Sequence, residues 1–256
     1  MLKKRIIFTL LYQDKNFFLS RNFNLQKIGS LEWLKKNYNF TLMAKSVDEI
    51  LLLDVSRKKQ NINEFCSVIK SLTKNCFIPI AVGGKIESLD KAKKYIDSGA
   101  DKLVINSKLF LNKKLLENIA KVYGEQCIIG SIDYKRDENS IRILINNGSS
   151  NININFKKAL KSLINLPIGE VILNSIDRDG TGNGFDFKIL EHVPNKFIKP
   201  IIFSGGAGNY KHFILALKNK KIDAVATANL LNFVGSGLQD VRKLIINQGF
   251  ELSEWI

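Results

Sequence analysis

Short, almost wholly apolar runs alternate along the chain with stretches in which apolar residues recur at helical spacing. The runs predict strands at Arg5–Leu11, Glu49–Asp54, Ile78–Gly83, Lys102–Asn106, Cys127–Asp133, Glu170–Ile176, Pro200–Gly205 and Asp223–Ala228. The stretches between them predict helices at Leu31–Lys36, Ile62–Leu72, Ser88–Ser98, Asn112–Val122, Phe156–Ile164, Phe187–His192, Asn209–Lys218 and Leu238–Asn247. Because the strands are apolar almost throughout, we expect them to be parallel and covered on both faces.

Eight successive β/α units within 256 residues predict the fold class. They indicate an α/β fold of the (β/α)8 TIM-barrel type, one domain over residues 1–256, rather than an open doubly wound sheet. One further strand is predicted at Ile141–Ile145, in the loop after the fifth strand, and it ends in the turn-rich segment 146–150.

The two halves of the chain resemble each other. Gly83 and Gly205 stand 122 positions apart, and so do Asp101 and Asp223. Each glycine belongs to a Gly-Gly pair that follows a predicted strand and precedes a helix. We therefore expect two similar half-barrels, each with a similar site.

Composition and charge narrow the classes of function. The formal net charge is +15, but the lysines are scattered over most predicted helices and are mixed with acids. We interpret them as solvated surface, with an acidic partner or a nucleic acid as the alternatives, and expect no nucleic-acid binding. No apolar run approaches the ~20 residues of a membrane span. Three scattered cysteines and two histidines form no metal or disulfide pattern, which predicts a cytoplasmic protein without metal or other cofactor.

Glycines just after predicted strands suggest phosphate binding. Their backbone N–H groups can approach an anion at a helix N-terminus, and barrels often bind phosphate after strands seven and eight. The candidate ligands are Gly205, Gly206, Ala228 and Asn229 in one half, and Gly83, Gly84, Asn106 and Ser107 in the other. This predicts a small molecule phosphorylated at both ends, with plain turn glycines as the alternative. Lys85 would either add a cation to its site or obstruct it.

Several segments together resemble a known family. They are Lys4–Ile7, Gly99–Lys102, Ser131–Asp133, Gly169–Thr181 and Ser204–Gly208. Between Met1 and about Phe233 the chain resembles the cyclase subunit of imidazole glycerol phosphate synthase, HisF. A sister isomerase shares the half-barrel design, but Asn174–Asp177 is closer to the cyclase. The resemblance implies that Asp179, Gly180 and Thr181 contact the substrate.

The resemblance also implies a reaction that uses ammonia. In the family a HisH glutaminase docks under the barrel, ammonia passes through the barrel, and carboxylates ending strands one and five act as base and acid. Asp133 occupies the strand-five position, whereas Leu11 stands where the family has an aspartate. A positioned acid or base contributes ~10²–10⁴-fold, so cyclisation should be crippled unless Asp14 substitutes. Leu19 replaces a basic residue that helps to hold the nearer phosphate.

At the opposite end of the barrel the family closes its ammonia entrance with two bases and two acids. The matching residues are Arg5, Glu49, Lys102 and Glu170, each at a strand start with inward parity. Charges inside a barrel are costly unless paired; the alternative is a wet rim of strand-start residues. Small inner residues predict a narrow bore, at Thr9, Ala81, Ser131, Ser204, Ala224 and Ala226. Asp101 matches an acid at the rim that faces the partner.

The chain thus keeps the residues of the family's ammonia passage but only one carboxylate of its acid–base pair. This combination resembles one branch of the family, the glycosyl amidation-associated protein WbuZ. That branch implies a HisH-like glutaminase partner and an ATP-dependent N-acetyl sugar amidotransferase of surface polysaccharide synthesis. One alternative is the histidine-pathway cyclase, which makes imidazole glycerol phosphate and aminoimidazole carboxamide ribotide from ammonia and a ribulosyl bis-phosphate. Another is a non-catalytic scaffold that activates the glutaminase.

Overall fold

The computed structural model of the chain describes residues 3–74, 76–138, 140–228 and 237–252. Its strands are β1 (Arg5–Gln13), β2 (Asn16–Arg21), β3 (Asn24–Ser30), β4 (Glu49–Asp54), β5 (Ile80–Gly83), β6 (Lys102–Ile105), β7 (Ile128–Arg136), β8 (Ile141–Ile145), β9 (Ser150–Ile152), β10 (Glu170–Ser175), β11 (Ile201–Ser204) and β12 (Ala224–Thr227). Its α-helices are α1 (Leu31–Asn37), α2 (Ile62–Thr73), α3 (Leu89–Asp97), α4 (Ser107–Leu111), α5 (Lys113–Tyr123), α6 (Phe156–Leu163), α7 (Tyr210–Lys218) and α8 (Gly237–Asn247). Shorter 3-10 helices lie at Phe40–Lys45, Glu125–Cys127 and Phe187–His192.

Eight of the strands close into a parallel ring. Their order around the ring is β1, β4, β5, β6, β7, β10, β11 and β12, and β12 pairs with β1 again. The predicted (β/α)8 barrel is therefore confirmed. Among the described helices, none is long and apolar enough to cross a membrane.

Two antiparallel hairpins extend the barrel above its mouth. β2 pairs with the end of β1 and with β3, and β8 pairs with the end of β7 and with β9. These partners explain why β1 and β7 run past their predicted ends at Leu11 and Asp133. The extra strand at Ile141–Ile145 is confirmed, whereas β2, β3 and β9 were not predicted.

The predicted helix at Phe187–His192 is wrong in type, because the segment is a 3-10 helix. Its N-cap residue, Asp186, makes no side-chain bond to the helix. The Asp186 carboxylate instead accepts two hydrogen bonds of 2.8 Å from the Arg136 guanidinium. A carboxylate engaged in this way leaves the first turn without the cap that favours an α-helix.

The barrel has two hydrophobic cores because successive strand residues point to opposite faces. Phe8, Leu10 and Ile50 belong to the large outer core between strands and helices. A smaller inner core fills the ring with Ile7, Leu51, Ala81, Val104, Ile129, Ile172, Ile202, Ala224 and Ala226. Three of the six small wall residues predicted, Ala81, Ala224 and Ala226, thus lie among larger aliphatic side chains.

The half-barrel repeat appears as a recurring pair of hydrogen bonds at the floor. The Asp101 carboxylate accepts the Ile80 N–H at 2.8 Å, while the Asp101 N–H donates to the Ile80 carbonyl at 2.9 Å. Asp223 and Ile201 repeat this exchange at 2.9 Å in both directions. Each aspartate joins the start of its own strand to the start of the preceding one.

A third copy of this exchange links Asp48 and Ile6, with both bonds at 2.8 Å. The second carboxylate oxygen of Asp48 accepts a hydrogen bond of 2.9 Å from Arg242 of α8. Both side chains are buried, and a buried charge is tolerated when it is paired in this way. The ion pair fixes the last helix to the strand that begins the barrel.

Phe8→Ala should lower the free energy of unfolding by about 3–5 kcal/mol. Phe8 is fully buried in the outer core, and its ring centroid lies 5.4 Å from that of Tyr38. Urea unfolding followed by circular dichroism measures the loss. Leu111→Ala is the control, because Leu111 is 60% exposed and its truncation should change stability by less than about 0.5 kcal/mol. Equal losses in the two variants would contradict the assignment of Phe8 to the core.

Candidate functional site

At the mouth of the barrel, β7 carries the buried carboxylate of Asp133. The Asn106 amide donates to one of its oxygens at 3.2 Å, and the Asn174 amide donates to the other at 2.9 Å. Asn106 is held in turn by the Ser131 carbonyl at 3.1 Å. Both oxygens are thus oriented by side chains from neighbouring strands.

Burial raises the pKa of Asp133 to about 6, because a charged carboxylate loses its solvation there. The hydrogen bond from Asn174 lowers that pKa, and the nearby charge of Asp179 raises it. The group therefore changes protonation state near neutral pH. A carboxyl group of this kind can accept or donate a proton at physiological pH.

Across the mouth, the structure places Leu11 where a second carboxylate would stand. Leu11 lies on β1 in register with Leu53 of β4, and its side chain is buried. Asp14 does not replace it, because it occupies an exposed turn with a left-handed φ of 46°. The Asp14 carboxylate accepts a hydrogen bond of 3.3 Å from the Gln13 amide at that turn. Hence one side of the mouth is apolar and the other carries Asp133.

Asp179 joins the β2–β3 hairpin to the loop after β10. Its buried carboxylate accepts hydrogen bonds from the Ser20 hydroxyl and, at 3.1 Å, from the Phe23 N–H. Its carbonyl accepts the Asn22 N–H at 3.0 Å. The Asn22 amide also donates to the Ile176 carbonyl at 3.0 Å. These bonds hold the hairpin across the mouth.

Gly180 and Thr181, predicted with Asp179 to contact substrate, also make internal contacts. Gly180 has a φ of +67°, and a Cβ there would lie 2.0 Å from the Ser20 carbonyl oxygen. The Thr181 hydroxyl donates to the Arg178 carbonyl at 2.8 Å. The contacts seen at this segment shape the mouth, and its contact with a substrate stays a prediction.

The glycine pairs at the mouth lie against neighbouring backbone that leaves no room for a Cβ. Gly205 and Gly206 have left-handed φ values of 89° and 108°, and a Cβ on Gly206 would lie 2.2 Å from the Gly184 carbonyl oxygen. Gly84 has a φ of 133°, and a Cβ on it would lie 2.7 Å from the backbone oxygen of Asp54. This packing alone requires glycine. Phosphate binding at either pair therefore stays a prediction.

The remaining predicted phosphate ligands differ in their surroundings. The Ser107 hydroxyl donates to the Asn146 side chain at 3.1 Å and accepts the Asn146 N–H at 3.1 Å. A hydroxyl has one proton, so a phosphate would have to displace Asn146, in the turn of the second hairpin. Ala228 follows β12 and is half-buried, whereas Asn229 lies outside the described residues.

At the floor, four charged side chains form a closed ring of ion pairs. Arg5 contacts Glu49 at 2.9 Å and also pairs with Glu170. Lys102 contacts Glu49 at 3.1 Å and Glu170 at 2.8 Å. Each residue starts its strand and lies two positions before a residue of the inner core, so all four side chains point inward. The predicted quartet thus comes together as alternating charges.

The pairing controls the charge states of the quartet. Burial raises the pKa of Glu49, whose side chain is 2% exposed, even though Lys102 and Arg5 oppose that shift. For Glu170, burial acts in the same direction, but Arg5 and Lys102 outweigh it and lower the pKa. The pKa of Arg5 is raised, because Glu170 and Glu49 outweigh its burial. The Arg5 guanidinium therefore stays charged between the two carboxylates.

In and above the quartet, two buried polar atoms lack partners among the described residues. Among the described residues, the Thr9 hydroxyl and one carboxylate oxygen of Glu49 accept or donate no hydrogen bond. Thr9 lies inside the ring, two positions beyond Ile7 of the inner core. Unpaired buried polar atoms are rare and call for an explanation. Both atoms are available to hydrogen-bond a small polar molecule inside the barrel.

Asp101, predicted to face a partner, lies exposed at the same floor. One of its carboxylate oxygens is used by the Ile80 N–H. Its position fits the prediction, but its visible contact is within the chain.

Asp133→Asn should stabilise the protein more at pH 7.5 than at pH 4.5. The folded-state pKa of Asp133 lies above its ordinary value of 3.8. A raised carboxyl pKa means that stability present below pH 3.8 is lost as the pH rises through about 6. The cost is about 3 kcal/mol at neutral pH, and asparagine removes it. Urea unfolding of both proteins at the two pH values measures the difference. An equal gain at both values would contradict the raised pKa.

Comparison with known proteins identifies the family of this barrel. The histidine biosynthesis protein family matches residues 36–235. The chain is 46% identical over 239 residues to the putative imidazole glycerol phosphate synthase subunit hisF2 of Parasynechococcus marenigrum. The aligned residues cover 93% of this chain and 89% of that protein. It is 34% identical to the imidazole glycerol phosphate synthase subunit HisF of Clostridium botulinum, over 96% of each chain. The HisF subunit of Streptococcus mutans is 30% identical over 98% of this chain and all of its own length. The chain therefore belongs to the HisF family.

Proposed function

We propose that this protein is the ammonia-conducting subunit of a glutamine amidotransferase. The single observation that supports this most strongly is the neutral ring of Arg5, Glu49, Lys102 and Glu170 at the floor. A buried ion-pair network is seldom worth more to stability than well-packed aliphatic side chains of similar volume. Its presence at the entrance of a barrel is therefore better explained by passage of a small polar molecule than by folding.

The inner wall supports the same proposal. Three alanines of the inner core reduce the volume that side chains fill, and the unpaired Thr9 hydroxyl offers a hydrogen bond above the ring. Ammonia is neutral, small, and both a donor and an acceptor. Ammonia needs hydrogen-bonding groups of this kind along its path, whereas a charged ammonium ion would not leave the quartet for an apolar interior.

The proposed source of ammonia is a HisH-like glutaminase docked at the floor. The relatives are named as subunits of a synthase, which favours a partner protein. Asp101 lies exposed on that face, and a glutaminase seated there would release ammonia next to the quartet. The protein would conduct the ammonia to Asp133 at the mouth.

For the acceptor we propose an N-acetyl sugar, amidated together with an ATP-dependent amidotransferase in surface polysaccharide synthesis, as in the WbuZ branch. The reason is Leu11, which leaves the mouth with one proton-transferring carboxyl group instead of two. When ammonia bonds to an activated acyl carbon, the activating group leaves with the electron pair of its own bond, and one base must take a proton from nitrogen. Asp133, with its pKa near 6, suits that task.

A second candidate is the cyclase of imidazole glycerol phosphate synthase, in histidine biosynthesis. The names of the relatives favour it over sugar amidation. In this case ammonia and a ribulosyl bis-phosphate would react at the mouth, with the two glycine pairs taking the phosphate ends. The missing acid at Leu11 counts against it.

Lys102→Met should uncouple ammonia transfer. Removing one cation leaves Glu49 and Glu170 with only Arg5, so the ring no longer closes the floor and ammonia mixes with solvent. The complete system receives glutamine labelled with 15N in its amide and unlabelled ammonium chloride, and mass spectrometry measures 15N in the product. We expect the labelled fraction to fall in Lys102→Met. It should stay unchanged in Lys113→Met, because Lys113 is an exposed residue of α5.

Unchanged labelling in both variants, or no stimulation of the glutaminase by this protein, would contradict ammonia conduction. Stimulation without transfer would support the scaffold alternative.

The acceptor is tested by measuring imidazole glycerol phosphate formation with ammonium chloride as the nitrogen source. We expect the rate to be at least ~10²-fold below that of the Clostridium botulinum HisF subunit, because one positioned acid or base is missing. The protein should also fail to restore growth of a histidine auxotroph that lacks the cyclase. A rate equal to that of the relative, with robust growth, would establish the second candidate instead.

A further inference from the structure

Two loops press against each other at the mouth, on the side where β10 and β11 end. The Gly184 N–H in the first loop donates to the Gly206 carbonyl in the second at 2.8 Å. Gly208 lies so close to the first loop that a Cβ on it would come within 2.5 Å of the Gly182 carbonyl oxygen. The first loop also carries Asp179, which holds the β2–β3 hairpin. The contact between the two loops therefore shapes this side of the mouth.

His212 on α7 binds the second loop where the two loops meet. Its Nδ1 atom accepts a hydrogen bond of 3.1 Å from the Gly208 N–H. An imidazole nitrogen accepts such a bond only when it carries no proton, so the ring is neutral and its proton is on Nε2. The same ring faces the first loop, because a Cβ on Gly184 would lie 3.4 Å from its Cδ2 atom. One imidazole thus lies against both loops.

The surroundings of His212 disfavour a charged ring. Its Nε2 atom lies 3.5 Å from the Asn209 amide nitrogen, so both ring nitrogens face N–H donors and a protonated ring would satisfy neither. Two cations lie on the adjoining elements, Arg178 in the loop after β10 and Lys211 on α7. The carboxylates of that loop are bound to β7 and to the β2–β3 hairpin instead; they are Asp177, Asp179 and Asp186.

Burial of the ring lowers the pKa of His212 below its ordinary value of 6.5, because an imidazolium loses its solvation there. A lowered histidine pKa means that the folded state binds the proton less readily than the unfolded chain does. The stability that this contact contributes is therefore present above pH 6.5 and is lost as the pH falls through the lowered pKa.

We propose that His212 is a pH-sensitive positioning residue, which holds the loop after β11 against the loop after β10 when neutral and releases Gly208 when protonated. Protonation puts a hydrogen on Nδ1, so the Gly208 N–H loses its acceptor and meets a second donor. Leaving a donor unpaired in a confined site is costly. The Gly208 backbone then moves away from Gly182, and this side of the mouth loosens. The proposal does not depend on ammonia conduction or on the identity of the acceptor.

The test is a titration of the full-length protein from pH 8 to pH 5, followed by nuclear magnetic resonance. Imidazole 15N resonances report the protonation of the two histidines of the chain, His192 and His212. Amide 15N resonances report Gly208 and Gly184. At pH 8 we expect His212 to carry its proton on Nε2. As the pH falls, the Gly208 and Gly184 amides should shift with the midpoint of His212, which lies below pH 6.5.

Two variants separate the hydrogen-bond acceptor from the charge. His212→Asn places a carboxamide oxygen near the position of Nδ1 and does not titrate, so the Gly208 amide should keep its high-pH resonance throughout. His212→Phe keeps a ring against Gly184 but offers no acceptor. Its Gly208 resonance should be displaced at every pH, and the Gly208 amide should exchange with solvent about fivefold to tenfold faster at pH 8.

His192→Asn is the matched control, because His192 is the other histidine and is exposed. It should leave the Gly208 midpoint unchanged. A wild-type Gly208 resonance without a transition at the His212 midpoint would overturn the proposal. So would a transition that persists in His212→Asn, or one that disappears in His192→Asn. The experiment needs neither glutaminase nor acceptor, so it and the test of ammonia conduction can fail independently.

Discussion

The alternation of side chains along eight strands that close into a ring decides where every functional group of this protein lies. Along β1, Arg5, Ile7, Thr9 and Leu11 point inward and become floor, wall and mouth in steps of two residues. The same steps take β10 from Glu170 to Asn174. A slip of one position would send the floor charges into the outer core. The quartet below and the carboxylate above therefore depend on one register.

That dependence explains which parts of the structure are readable from the sequence. A buried parallel strand is an uninterrupted apolar run, so β4 has the bounds that its residues predict. The floor quartet was predicted from the resemblance to the family, and the charged residue at the start of each run agreed with it. The closed ring then brings residues such as Arg5 and Glu170 together.

The β2–β3 hairpin over the mouth was not readable in this way, and of the second hairpin only β8 was predicted. β3 has only half-buried and exposed residues, so its pattern is indistinct beside those of the barrel strands. Asn22, Asn146 and Asn147 have left-handed φ and mark the turns, and these asparagines were the available signal. The anchoring bond between Ser20 and Asp179 joins residues 159 positions apart. No local pattern predicts such a contact, and this is why Asp179 was predicted to contact a substrate and not a hairpin.

Because Leu11 stands where the family has an aspartate, this mouth exchanges protons differently from a mouth with two carboxyl groups. Asp133 gains or loses a single proton near pH 6, and Leu11 on the opposite strand offers no second carboxyl group. A reaction that must lose a proton at one atom while gaining one at another needs a second group besides Asp133. An electrophile that arrives already activated makes no such demand. Under the proposed function, the acceptor therefore has to be activated before it enters the mouth.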